Sequence, residues 1–135
     1  MLVLDSSVIL AWALDDEDSL GPELLRRLST AEEGVVPVHW ILEVTNGLLM
    51  AVRRRRLAAD DPPKLLAHIA QQPIQIDSET LLRGWREIPE LAAQYGLTTY
   101  DAAYLELATR LDVPLATLDQ DLARAARKAG VPLFE

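Results

Sequence analysis

Short apolar runs alternate with longer stretches of helical periodicity along this chain. Leu2-Val3-Leu4 is a compact apolar run that stops at Asp5, and Ser7 to Leu14 continues with apolar positions at helical spacing, which predicts a strand and then a helix. Gly21-Pro22 opens a second helical stretch to about Ala31, and Val35-Val36 reads as a short strand. His39 to about Arg55 is a long, mostly apolar helix. Pro62-Pro63 starts another helix that ends near Gln72, because proline is tolerated in a first turn. Ile74 to Ile76 predicts a strand, followed by a helix from about Ser78 to Tyr95 that Pro89 kinks or divides and Gly96 ends. Thr98 or Thr99 caps a helix through Leu111, and Leu115 to Leu118 is a strand. Asp119 starts a last helix, Gly130 stops it, and Leu133-Phe134 reads as an edge strand. Strands alternating with helices predict an α/β fold, with parallel strands covered by helices on both faces.

Composition narrows this picture without changing it. The chain has 135 residues, the size of one domain, and half are hydrophobic, enough for a core without covalent staples. With no cysteine, disulfides and thiolate metal sites are excluded, so any metal must be held by oxygen or by His39 and His68. Those two histidines stand isolated in the sequence and read as surface or packing residues. No apolar run approaches the roughly 18 residues of a membrane span. The start lacks a basic stretch of the kind that opens a signal peptide, so the expectation is a cytoplasmic protein without membrane attachment. The net charge of −8 argues against broad, unspecific nucleic-acid binding. It does not exclude a nuclease, because acids gathered round a metal ion carry negative formal charge that the cation offsets.

Four acids stand out by position. Asp5 follows the first strand, Glu43 lies inside the apolar helix, Asp101 lies in the first turn after Thr98-Thr99, and Asp119 follows Leu115 to Leu118. Asp5, Asp101 and Asp119 have a plain alternative, since an aspartate at a helix start caps free amides and meets the positive end of the helix dipole. Glu43 is harder to dismiss. It is the one charged group from Trp40 to Val52, so it must be ion-paired, metal-bound or at the mouth of a pocket. Asn46 and Gly47 follow at three and four residues and share its face, so Asn46 could orient the carboxylate and Gly47 could admit a close neighbour. In a parallel sheet, ligands bind at the carboxyl ends of strands near a change in strand order, where Asp5 and Asp119 are expected. Clustered carboxylates raise one another's pKa unless a cation intervenes, and hard oxygen donors suit Mg²⁺ or Mn²⁺.

At these residues the chain resembles the PIN-domain family, especially its VapC toxins. Leu4-Asp5-Ser6-Ser7-Val8 matches the family's opening motif. Pro37, Trp40 and Glu43-Val44-Thr45-Asn46-Gly47-Leu48 match its second motif. Leu97 to Tyr104 and Leu115 to Leu122 match the third and fourth. The resemblance covers the whole chain as one domain, residues 1–135. It implies a three-layer α/β/α fold and a metal-dependent endoribonuclease, the toxin of a toxin–antitoxin pair. It makes Asp5, Glu43 and Asp101 the main metal-binding acids and Asp119 the fourth, with Asp121 as the alternative. Ser7, Asn46 and Thr117 would support these acids from behind. It also implies an RNA substrate, a VapB-like antitoxin, and a homodimer.

The run Arg53-Arg54-Arg55-Arg56 is a strong basic cluster. It reads either as a solvated helix end favoured by the dipole, or as a contact for RNA phosphates or an acidic partner segment. Other reaction types fit less well. A haloacid-dehalogenase-type phosphatase needs a second aspartate where Ser7 stands, and a receiver domain needs an acidic pair and a late lysine that are missing. A PIN-like fold that keeps its acids but works as a binding or regulatory module remains the alternative.

Overall fold

The computed structural model describes residues 1–14, 26–27, 30 and 32–134. Strand β1 (Leu2–Leu4) leads into helix α1 (Ser6–Ala13). The second helix expected from Gly21-Pro22 to about Ala31 lies largely outside the described residues. Strand β2 (Gly34–Val36), helix α2 (Trp40–Arg53), helix α3 (Asp61–Ala70) and strand β3 (Ile74–Ile76) follow. Helices α4 (Thr80–Arg83), α5 (Glu87–Tyr95) and α6 (Thr99–Leu111) then precede strand β4 (Leu115–Ala116) and helix α7 (Gln120–Ala129).

The four strands form one parallel sheet in the order β3-β2-β1-β4. The chain steps one way from β1 to β3, then returns across the sheet to pair β4 with the free side of β1. Right-handed crossovers in opposite directions put α1 to α3 on one face and α4 to α6 on the other, giving the expected α/β/α layering. The packing agrees: α1 lies on α2, α2 on α3, and α6 on α5, α7 and β1. A central parallel strand is buried on both faces, which is why Leu2, Val3 and Leu4 are all apolar and at most 1% exposed. With Val44 and Leu48 of α2 and Tyr104, Leu105 and Leu107 of α6 they form the main core. Each large apolar side chain so buried contributes about 1.5–3 kcal/mol.

Three sequence expectations need correction. The stretch Ser78 to Tyr95 is two helices, and the break falls at Gly84 to Arg86 rather than at Pro89. Pro89 sits in the first turn of α5, where its missing amide costs nothing. The strand expected over Leu115 to Leu118 is only Leu115–Ala116, because Thr117 and Leu118 are drawn into side-chain bonds described below. Leu133-Phe134 is reduced to one bridge between Leu133 and Leu115.

The reversal of strand order lies between β1 and β4. At their carboxyl ends the chain leaves the sheet at Asp5 and at Thr117 to Asp119.

Candidate active site

Asp5 occupies the N-cap position of α1, yet its side chain makes no capping bond. The simple cap reading fails there because the carboxylate is turned across the sheet edge. The Asp5 amide donates to the Ala116 carbonyl at 2.9 Å, locking the backbone to β4. The hydroxyls of Ser7 and Thr117 both donate to Asp5 Oδ2, at 2.7 and 2.6 Å. Each hydroxyl also accepts a backbone amide, Ser7 from Leu118 at 3.0 Å and Thr117 from Asp119 at 3.0 Å. With donors and acceptors used on both sides, the hydroxyls cannot rotate away, and the carboxylate is fixed. Ser7 and Thr117 therefore both hold the Asp5 carboxylate in place. Burial pushes the Asp5 pKa up, the two hydroxyl bonds pull against it, and the charge of Asp119 adds to the rise.

Asp119 caps α7 as the plain reading expects, its carboxylate accepting the Leu122 amide at 2.9 Å. Asp101 does not cap its own helix. Thr98 does so, accepting the Asp101 amide at 3.1 Å, which leaves the half-buried carboxylate of Asp101 turned toward other acids. Its pKa is pushed up to about 6, first by burial and then by the charges of Asp119, Asp5 and Glu43. The two strand ends and helices α2 and α6 thus deliver four acids within electrostatic reach of one another. Asp121 is not among them. It is exposed in the first turn of α7 and paired with Arg124 at 2.9 Å.

Glu43 lies on the first turn of α2 and is partly exposed, less buried than its apolar neighbours in sequence suggest. Asn46 is exposed, and among the described residues it makes no bond to Glu43. The partner is instead the hydroxyl of Tyr104, which donates to Glu43 Oε1. Gly47 behaves as expected, since a Cβ there would meet Leu10 Cδ1 at 2.5 Å, so α1 and α2 approach closely. His39 was read as isolated, and the structure corrects this. Its Nε2 lies 2.9 Å from the Tyr100 carbonyl and 3.7 Å from Glu43 Oε1. His68 does keep a packing role, stacked on Trp12.

Among the described residues, no three acid or imidazole groups stand close enough to ligate a single ion directly. Nor is any of the four acids bridged by a lysine or arginine among the described residues. Glu43 begins α2 and the arginine run ends it, about 15 Å away at 1.5 Å per residue. Arg53 closes α2 and Arg54 to Arg56 are exposed beyond it, in accord with the solvated-helix-end reading. No helix among the described residues is long and apolar enough to cross a membrane.

Comparison with known proteins gives a consistent result. The chain is 32% identical over 122 residues to ribonuclease VapC3 of Pyrobaculum aerophilum, covering 90% of this chain and 92% of that protein. It is 31% identical over 123 residues to ribonuclease VapC9 of Mycobacterium tuberculosis, covering 91% and 89%. Its fold matches that of VapBC2 from Rickettsia felis bound to a promoter DNA fragment, with a TM-score of 0.66 at 14% identity over 99% of this chain and 98% of the other. It also matches FitAcB from Neisseria gonorrhoeae, with a TM-score of 0.63 at 16% identity over 100% and 97%. The PIN-domain family model matches residues 2–128, nearly the whole length over which the strand ends and helices gather these acids, and the chain belongs to that family.

Proposed function

We propose that the protein is a divalent-metal-dependent endoribonuclease, the toxin half of a VapBC-type pair, working as one domain of residues 1–135 in the cytoplasm. The observation that carries this reading is the gathering of Asp5, Glu43, Asp101 and Asp119 from the ends of β1 and β4 and the starts of α2 and α6, where burial and the other three charges push the Asp101 pKa up to about 6. Uncompensated charge of that kind is costly in the free protein and favourable when a cation arrives. Asp5, Glu43, Asp101 and Asp119 form an all-oxygen donor set that suits Mg²⁺ or Mn²⁺. A hydrated Mg²⁺ would reach some of these carboxylates through water, since that ion keeps several waters when bound. A bound cation would supply acidified water and offset charge gathering on a phosphate.

The chain's own groups then divide the work. Asp5 is a fixed anchor, held by two hydroxyls and the β4 backbone. Glu43 and Asp101 approach from the starts of α2 and α6. An acid at this edge, Asp101 or Asp119, would take the proton from an attacking water. An acidic pocket that no lysine or arginine bridges among the described residues also suits an arginine offered by an antitoxin, which would neutralise it in the metal's place. The apolar surface that Leu81, Leu82 and Trp85 leave exposed supports pairing of two copies, which sedimentation of the wild-type protein and Trp85→Glu would check.

The test is RNA cleavage with Mg²⁺ or Mn²⁺ by wild type, Asp5→Asn, Glu43→Gln and Asp101→Asn. Each variant should lose more than the about 100-fold that removal of an outer partner can cost at a metal site, with its melting curve still cooperative. Full activity in all three would remove the site. Expression of the chain alone should arrest growth, and co-expression of a cognate antitoxin should relieve the arrest.

A further inference from the structure

We infer that His39 and Tyr104 are positioning residues that set where Glu43 stands relative to Asp101, an inference that rests on the metal-site reading above. Both lie outside the four acids, and each touches the site from behind.

Tyr104 is the larger element. Its ring is completely buried on α6, and its hydroxyl donates to Glu43 Oε1 on α2. A phenol in such surroundings stays protonated, since burial and the adjacent carboxylate both disfavour its ionised form. It is therefore a permanent donor. Tyr104 follows Asp101 by three residues on one helix, so one helical face carries both an acid and the group that orients the second acid.

His39 fastens the same two helices at their starts. It precedes Glu43 by four residues, so it too shares a face with the acid it serves. Its Nε2 lies 2.9 Å from the Tyr100 carbonyl oxygen. A carbonyl only accepts, so Nε2 carries a hydrogen and donates it to Tyr100. The 3.7 Å separation from Glu43 Oε1 is then an approach of the N–H dipole to the carboxylate, too long for a hydrogen bond. Tyr100 is the residue before Asp101. The bond accordingly ties the first turn of α2, which carries Glu43, to the first turn of α6, which carries Asp101. The imidazole is held in place by Tyr104, edge-on with centroids 5.3 Å apart, and by Tyr100 at 6.0 Å.

A merely structural clamp would affect melting and leave the metal alone. A positioning pair affects cation affinity through one removable donor. The test uses the intact protein and titrates Mn²⁺ by the EPR signal of the free ion, with melting of the metal-free protein measured alongside. Tyr104→Phe keeps the ring and loses only the hydroxyl, and His39→Phe keeps a ring and loses the N–H. Each should weaken Mn²⁺ binding by about 10–100-fold, the usual effect of losing an outer partner at a metal site. His39→Gln, which can present an amide N–H in nearly the same place, should restore affinity toward the wild-type value. Wild-type affinity in both Tyr104→Phe and His39→Phe, with Asp5→Asn losing it, would overturn the positioning role and leave the metal site standing. Absence of Mn²⁺ binding in the wild type would overturn both. If His39→Phe fails to fold, Tyr104→Phe alone decides.

Discussion

Two groups of carboxylates in this molecule are built from the same residue types and end in opposite electrostatic states. One gathers Asp77, Glu79 and Glu106 around Arg110. The guanidinium bonds Asp77 at 2.7 Å, Glu106 at 2.7 Å and Glu79 at 3.0 Å, and so ties the β3–α4 corner onto α6. The other gathers Asp5, Glu43, Asp101 and Asp119, with no such cation among the described residues. Burial works against the charge of Asp77, yet the bonds and charge of Arg110 outweigh it and its pKa falls. Burial and neighbouring acids work together on Asp101, and its pKa rises to about 6. The first cluster is finished by the chain itself. The second has no such cation among the described residues, which is the state the proposed metal site requires of it.

The largest expected effect breaks the finished cluster. Arg110→Met would leave the buried Glu106 with only Arg83, 4.0 Å away, and Asp77 with the Thr80 hydroxyl but no ion partner among the described residues, and loss of one member of a buried ion pair costs about 3–5 kcal/mol. Denaturant unfolding should show that loss, while Mn²⁺ affinity at the other cluster should stay near wild type. A large change in Mn²⁺ affinity would mean that the two clusters are not separate. A smaller effect sharpens the contrast from the other side. A cation at one hundred times its Kd should stabilise the native state by about 2.7 kcal/mol. Millimolar Mg²⁺ or Mn²⁺ should therefore raise the melting temperature by several degrees in wild type and Arg110→Met alike, and much less in Asp5→Asn.

The smallest effect is the pH dependence, and here the two clusters should differ in sign. The native pKa of Asp101 is raised from 3.8 to about 6, so the native state holds a proton that the unfolded chain has released. Stability of the metal-free protein from this group is greatest below about pH 4 and falls as pH rises through about 6. For Asp77 the native pKa is lowered, so its contribution is present at neutral pH and lost as pH falls. Melting in EDTA across that range should show the first slope flattened in Asp101→Asn and the second removed in Arg110→Met. An unchanged profile in Asp101→Asn would mean that its carboxylate is not under the strain argued here.

The same contrast explains what could be read in the sequence. Asp5 and Asp119 were legible because a strand end in a parallel sheet is a fixed place, and a short apolar run names it. Glu43 was legible as a lone charge in an apolar helix. Its actual stabiliser was not, because Tyr104 lies 61 residues away and no local spacing joins the two. His39 was passed over for a similar reason: a single histidine among apolar residues has a bland reading, and its partner is a backbone carbonyl 61 residues along the chain. The available signals were its four-residue offset from Glu43 and the three-residue offset of Tyr104 from Asp101. Asn46 was favoured instead because it is close in sequence, yet on the folded helix it faces solvent. The helix break at Gly84 was assigned to Pro89 because a proline's place in a first turn becomes visible only once the turn is known.

The bond from Thr117 to Asp5 spans 112 residues and fixes an order of events during synthesis. Asp5 and Ser7 leave the ribosome well before the hydroxyl and backbone groups that complete their surroundings, which come from Ala116 to Leu118. Until that last stretch emerges, β1 lacks one of its two neighbours and Asp5 has neither the Thr117 donor nor the Ala116 carbonyl. A growing or prematurely released fragment that stops short of Thr117 therefore cannot assemble this arrangement of acids, however well its first helices pack. For an enzyme that attacks RNA, the machinery that makes it is exposed to the competent form only after Thr117 has emerged.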